Sequence, residues 1–322
     1  MEELLSVDSL TVEYTTLAGN ARAVNNVSLE VRKGETVGLV GESGCGKSTL
    51  GMATMGLIQP PGRVTAGKIF FEGNDLTLLS SDELRKIRGK RIAMIFQDPM
   101  TSLNPVKRVS DHFVEYARAH DSKTTKQEAL AKTATIMRDL GIPAERAKDY
   151  PHQFSGGMRQ RVMIGLALAL NPALIIADEP TTALDVIVEA QILELMRELK
   201  RKYSLSLLLI THNMGIVAEM ADRVAVMYAG SLVEVASVWD IFGNPKHPYT
   251  KALLESIPTV GAEGRRLLKS IKGSPPDLTH PPQGCPFHPR CSFAFDRCRV
   301  EDPKLLKTGE GSAAACHLLE VR

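Results

Sequence analysis

The stretch Gly41-Glu42-Ser43-Gly44-Cys45-Gly46-Lys47-Ser48 sets small residues ahead of one lysine and one hydroxyl, in the order that wraps a phosphate. Small side chains let successive backbone N–H groups close around phosphate oxygens, and a helix starting at the end of the loop adds the positive end of its dipole. Lys47 then reaches the β- and γ-phosphates, and Ser48 offers an oxygen to Mg²⁺. A chance glycine-rich turn is the bland alternative. Against it, the loop follows the apolar run Thr36-Val37-Gly38-Leu39-Val40 and precedes a helical stretch, the context this chemistry needs.

A second constellation is Leu174-Ile175-Ile176-Ala177-Asp178-Glu179, an apolar run ending in two carboxylates. Alone it is a strand meeting solvent; after a phosphate loop it delivers Asp178 to Mg²⁺ and Glu179 to an attacking water. A third, Phe154-Ser155-Gly156-Gly157-Met158-Arg159-Gln160-Arg161, opens a helix with two glycines. Read cold it is a helix cap, but the same geometry leaves backbone donors and the Ser155 hydroxyl facing outward as another anion site. Finally, Cys285, Cys291, Cys298 and Cys316 stand at C-x₅-C-x₆-C-x₁₇-C near the end of the chain. In a reducing compartment such a group suggests ligands before disulfides. The intervals lack the tight C-x₂-C pairs of common zinc sites, although His288 and His317 offer further ligands, so zinc, an iron–sulfur cluster and plain thiols or disulfides all stay open. Cys45 reads as a tolerated small residue of the phosphate loop.

The elements that position these residues can be read from periodicity. Leu10-Thr11-Val12 and Val27-Ser28-Leu29-Glu30-Val31 predict antiparallel strands feeding the buried strand before the loop. Residues 107–141 carry apolar positions at three- and four-residue spacing and predict a helical insert. Beyond Gln153 the pattern alternates: helix 158–170, strand 173–177, helix 186–203, strand 205–210 and short strands over 223–235. That alternation predicts a mainly parallel α/β sheet. From residue 244 the composition shifts, with 10 of the 18 prolines in the tail. Pro275-Pro276 and Pro281-Pro282 predict a stiff linker that sets the cysteines apart as a separate module.

Composition narrows the function classes. With 322 residues, 43% of them hydrophobic, the chain can bury a large core, and its net charge of +2 argues against a nucleic-acid grip resting on bulk charge. The start, Met1-Glu2-Glu3-Leu4-Leu5, is acidic where a secretory signal is basic, and no apolar run reaches the length of a membrane span. The expectation is therefore a cytoplasmic protein.

With the Ser155 stretch 23 residues before Asp178, the chain resembles the ABC (ATP-binding cassette) ATPase family over residues 4–243. Other landmarks follow in order: Gln97 is similar to the Q-loop glutamine, Ala183-Leu184-Asp185 to the D-loop, His212 to the switch histidine and Tyr14 to the aromatic that stacks on adenine. The resemblance implies an α/β nucleotide-binding domain over 1–243, with a mainly parallel RecA-like core, an antiparallel β subdomain and a helical insert at about 98–160. It implies nucleotide contacts from Tyr14, Gly41, Ser43, Gly44, Cys45, Gly46, Lys47, Ser48, Thr49, Gln97, Ser155, Gly156, Gly157, Asp178 and Asp185. Catalytic roles fall to Glu179, His212, Gln97 and Lys47, and Mg²⁺ to Ser48, Gln97 and Asp178. The chain departs from the family pattern at Phe154, Met158 and Asn213, where Leu, Gln and Asp are usual.

Two further segments, Gln97-Asp98-Pro99-Met100-Thr101-Ser102-Leu103-Asn104-Pro105 and Asn244-Pro245-Lys246-His247-Pro248-Tyr249-Thr250, resemble the oligopeptide/dipeptide and nickel importer branch, as does the four-cysteine end. The resemblance implies a small extension over 244–322 carrying a [4Fe–4S] cluster, with zinc as the alternative. It further implies an ATPase energising uptake of di- or oligopeptides, placed peripherally at the cytoplasmic face of the inner membrane. The implied partners are a second cassette, either a paralogue or another copy, two integral membrane permease subunits and an external substrate-binding protein. Nickel or another small solute as cargo, a soluble non-transport ABC ATPase, and a phosphoryl-transferring kinase are the rival readings; the last explains neither the Ser155 stretch nor His212.

Overall fold

The computed structural model describes residues 2–97, 102–182, 184–257 and 271–320. The chain forms two compact units, one of Leu79–Leu208 and the other of Glu2–Leu78 together with Leu209–Arg322.

The second unit opens with a long hairpin. β1 (Glu3–Thr16) and β2 (Gly19–Arg32) pair antiparallel, with Val7 opposite Leu29 and Leu10 opposite Val27. Leu5, Val7, Leu10, Val12, Val24, Val27, Leu29 and Val31 are buried, close to the alternation of strands with one covered face. A turn at Lys33-Gly34, with Gly34 at φ 74, leads into β3 (Thr36–Val40), whose five residues are all buried. The glycine loop and α1 (Lys47–Thr54) follow. β4 (Gly62–Phe71) then returns to the other edge of β1, Val7 opposite Ile69, and β5 (Asn74–Asp75) completes this antiparallel sheet.

In the first unit, α2 (Ser81–Ile87) starts on a reciprocal cap between Ser80 and Glu83. β6 (Ile92–Ile95) and β7 (Leu174–Asp178) pair in parallel, Ile95 opposite Ala177. Between them lie α3 (Val109–His120), α4 (Lys126–Asp139) and α5 (Gly156–Leu168). The continuous helical pattern of 107–141 thus resolves into two helices, because Thr125 and Glu128 form another reciprocal cap that starts α4 afresh. The three helices converge on Gly165: a Cβ there would stand 2.5 Å from Leu140 Cδ1, 3.0 Å from Ile136 and 3.3 Å from Phe113. α6 (Val186–Tyr203) spans the range that periodicity predicts. β8 (Ser206–Thr211) carries the chain past Leu208.

The remainder belongs to the second unit. After α7 (Met214–Met220), β9 (Arg223–Tyr228) pairs in parallel with β3, Val40 opposite Val226, and antiparallel with β10 (Ser231–Ser237). α8 (Val238–Gly243) and α9 (Pro248–Glu255) follow, then the tail with α10 (Asp296–Val300), β11 (Leu306–Gly309) and β12 (Ser312–Ala314). This tail is not set apart by its prolines, as its composition predicts. β12 pairs with β10, Glu234 opposite Ala314, and Phe287 is buried with its ring 5.2 Å from Tyr228 and 5.3 Å from Tyr249. The physical reason is apolar: a few rings with a large area to remove from water outweigh a polar, proline-rich average.

Candidate active site

The glycine loop has backbone conformations that only glycine takes without strain. Gly44 and Gly46 lie at φ 78 and 104, and a Cβ on Gly46 would fall 1.9 Å from the carbonyl oxygen of Ala23. A Cβ on Gly41 would meet the carbonyl oxygen of Met227 at 2.1 Å. Lys47 is buried at the mouth of α1, its Nζ donating to the carbonyls of Gly41 at 2.8 Å and Glu42 at 2.9 Å. Ser43 and Gly44 are exposed at the tip, and Ser48 and Thr49 are half-buried in the first turn of α1. Burial pushes the Cys45 thiol up, so it stays a neutral space-filler in the loop.

The parallel register of β6 and β7 has a direct consequence for chemistry. Counting on two residues from Ile95 and Ala177 sets Gln97 beside Glu179, and Gln97 Nε2 donates to Glu179 Oε2 at 3.1 Å. Thr182 Oγ1 donates to the same oxygen at 2.8 Å. Glu179 has φ 46, a left-handed conformation that a carboxylate residue adopts only when its surroundings impose it. Asp178, the last residue of β7, is buried. Thr182 escaped the sequence reading, though its place three residues after Glu179 was the available signal.

At the start of α5 the Ser155 Oγ accepts from Met158 N at 3.3 Å, so the helix begins at Gly156, two residues earlier than predicted. Gly157 allows close packing, since a Cβ there would lie 2.5 Å from Val188 Cγ1. Phe154 and Met158, two of the three departures from the family pattern, share a neighbour. The Arg146 guanidinium lies 4.5 Å from the centre of the Phe154 ring and its Nη1 is 3.5 Å from Met158 Sδ, with Asp149 taking Nε at 2.8 Å. Asp185 caps α6, accepting from Val188 N at 2.9 Å. Asp98 to Thr101 and Ala183 lie outside the described residues.

Tyr14 is half-buried on β1 opposite Gly62, where a Cβ would meet its ring at 2.5 Å. His212 is exposed directly after β8, and Asn213 caps α7 by accepting from Gly215 N at 2.9 Å, a task Asn performs as well as Asp.

Cys285, Cys291, Cys298 and Cys316 line one small pocket with Phe287, Phe293 and Leu318. Burial pushes the Cys285 thiol up to about 12, and the neighbouring cysteines add to the shift. Cys291 and Cys316 are raised for the same reasons. Among the described residues no three potential ligands stand close enough together to hold a single metal ion.

This is the architecture of an ABC ATPase nucleotide-binding domain, mixed α/β in class. The ATP-binding cassette MJ0796, solved as a dimer in a post-hydrolysis state bound to ADP and Pi, matches with a TM-score of 0.65 and 26% identity, covering 73% of this chain and 99% of that one. The cbiO1 cassette of Clostridium perfringens, described as part of the ABC transporter complex cbiONQ, gives 0.65 and 25%, covering 76% of this chain and 92% of that one.

Residues 24–182 match the ABC transporter family and residues 233–298 match the oligopeptide/dipeptide transporter C-terminal region. Over its whole length the chain is 52% identical to the dipeptide transport ATP-binding protein DppD of Bacillus subtilis, covering 96% of that protein. It is 49% identical to the oligopeptide transport ATP-binding protein OppD of the same species, over 95% of this chain and 86% of that one, and 47% identical to DppD of Escherichia coli, over 98% and 96%. The chain belongs to the oligopeptide/dipeptide branch of ABC transporter ATP-binding subunits, and it is an ATPase.

Proposed function

We propose that the chain hydrolyses ATP to drive uptake of di- and oligopeptides through separate membrane subunits. The observation that carries this reading is the Gln97–Glu179–Thr182 arrangement, a strained carboxylate held by an amide and a hydroxyl at the end of a parallel strand pair. Glu179 takes a proton from the attacking water, and Lys47 meets the β- and γ-phosphates. Backbone donors of Gly41, Ser43, Gly44, Cys45 and Gly46, with Ser48 and Thr49, line the phosphate loop, and Tyr14 stacks on adenine. His212 and Gln97 orient the reacting groups. Ser48, Asp178 and Gln97 would hold Mg²⁺, and their hard oxygen donors suit that ion. When bound, it neutralises charge on the phosphates. Ser155, Gly156, Gly157 and Asp185 of one cassette complete the site of a facing cassette, because a helix N-terminus with outward donors is a second anion site.

Among the described residues no helix is long and apolar enough to cross a membrane, so transport requires two permease subunits, with an external binding protein to deliver cargo. The chain then works at the cytoplasmic face of the inner membrane, beside a second cassette that is a paralogue or another copy. Residues 1–243, with the insert at about 98–160, form the ATPase domain, and residues 244–322 the extension. Reconstituted in vesicles with its permeases, the complex is expected to hydrolyse ATP faster when the binding protein carries a di- or oligopeptide. Stimulation by nickel alone, or no association with permeases, contradicts the reading.

For the extension, the shared pocket and four thiols support a [4Fe–4S] cluster held by Cys285, Cys291, Cys298 and Cys316. Zinc is the alternative occupant of the same four thiols. Anaerobically purified protein should contain about four irons and four sulfides per chain. One zinc with no iron or sulfide overturns the assignment.

A further inference from the structure

Glu42, the second residue of the phosphate loop, is gripped on three sides. Its carbonyl accepts from Lys47 Nζ at 2.9 Å, its N–H donates to Tyr249 Oη at 2.9 Å, and its carboxylate accepts from Arg290 Nη1 at 2.6 Å and Nη2 at 2.9 Å. Arg290 lies 248 residues further along the chain, in the turn between Cys285 and Cys291. Its side chain is 5% exposed. The rest of the guanidinium is also engaged: Nε donates to the Lys272 carbonyl at 3.0 Å, and Nη1 lies 3.3 Å from Tyr228 Oη. The rings of Tyr228 and Tyr249 pack at a tilt with centroids 4.6 Å apart, so the groups that hold Glu42 are fixed to one another.

A carboxylate at this position works against the loop. Backbone donors and Lys47 gather there to attract an anion, while Glu42 places a negative charge within the same turn. A forked guanidinium cancels that charge and fixes its direction, which a lysine point charge cannot reproduce.

We propose that Arg290 is a positioning residue for the phosphate loop: it neutralises and anchors Glu42, and so makes ATP affinity depend on the fold of the cysteine-bearing tail. The proposal rests on the reading of residues 41–48 as the ATP site. It also gives the tail a task beyond its own stability, since the turn that carries Arg290 is bounded by two of the four cysteines.

The test is ATP binding and steady-state hydrolysis by the full-length chain, assembled with its partners, comparing the parent with Lys47→Ala, Arg290→Ala, Arg290→Lys and the double variant Glu42→Gln/Arg290→Ala. Arg290→Ala should raise the Kd and KM for ATP about fivefold to tenfold at low salt while kcat changes less than about twofold. The defect should shrink as salt rises, and Arg290→Lys should fall between. Adding Glu42→Gln to Arg290→Ala should recover most of the lost affinity, because collapse of the tail is not repaired by removing an acid from the loop. If Arg290→Ala is insoluble, Arg290→Lys with and without Glu42→Gln makes the same comparison. Parent-like affinity in Arg290→Ala beside a weakened Lys47→Ala, or a defect that Glu42→Gln leaves unchanged, overturns this proposal alone. Parent-like affinity in Lys47→Ala overturns the ATP-site reading, and this proposal with it.

Discussion

A buried lysine bonded to two carbonyls of its own loop has a cost unless its charge is put to use, and the phosphates of a nucleotide are the natural use. Lys47→Ala is accordingly expected to weaken ATP binding by about tenfold or more, read by equilibrium dialysis with labelled ATP; unchanged affinity counts against the loop. At this scale the motif residues were legible because each constellation is compact in sequence: strand, glycines, lysine, or strand and two acids. What was not legible came from distant partners. Arg146 under Phe154 and Arg290 on Glu42 carry no local pattern that marks them, since an arginine in a polar segment reads as a solvated charge until something folds against it.

Elements add constraints that single residues do not. His247 shows this: its Nδ1 accepts from Tyr249 N at 3.0 Å and so caps α9, while its backbone N–H donates to Glu234 Oε2 at 2.9 Å. Burial pushes its pKa down from 6.5 to about 3. The unfolded chain therefore takes up a proton below about pH 6.5 that the folded chain refuses until about pH 3. The stability this neutral imidazole preserves is complete above 6.5 and lost as pH falls. Between pH 7 and pH 5 the loss is about 2 kcal/mol. Urea unfolding at the two pH values should show a loss of stability in the parent that exceeds the loss in His247→Gln by about that amount; equal losses contradict it. Most elements were readable from periodicity, α6 to its ends, whereas the break between α3 and α4 was hidden because Thr125 and Glu128 interrupt the helix without interrupting its apolar spacing.

For the whole molecule, the tail is the main lesson. Average composition described a detachable, proline-rich module, but docking is decided by Phe287, Arg290 and the β12 edge, which an average conceals. The same scale governs the shared ATP site. If Ser155 serves a facing cassette, a mixture of Lys47→Ala and Ser155→Arg chains that forms mixed dimers should regain one working site and roughly half the parental activity per dimer at most; mixed dimers with no recovered hydrolysis refute a shared site. The central claim, that Glu179 at the end of β7 is the base of an ATPase, is tested most directly by measuring ATP affinity and turnover of Glu179→Gln in the assembled complex. The amide keeps the shape but cannot accept the proton, so ATP affinity should stay close to parental while turnover falls by about 10²-fold or more. Turnover within about tenfold of the parent contradicts the account.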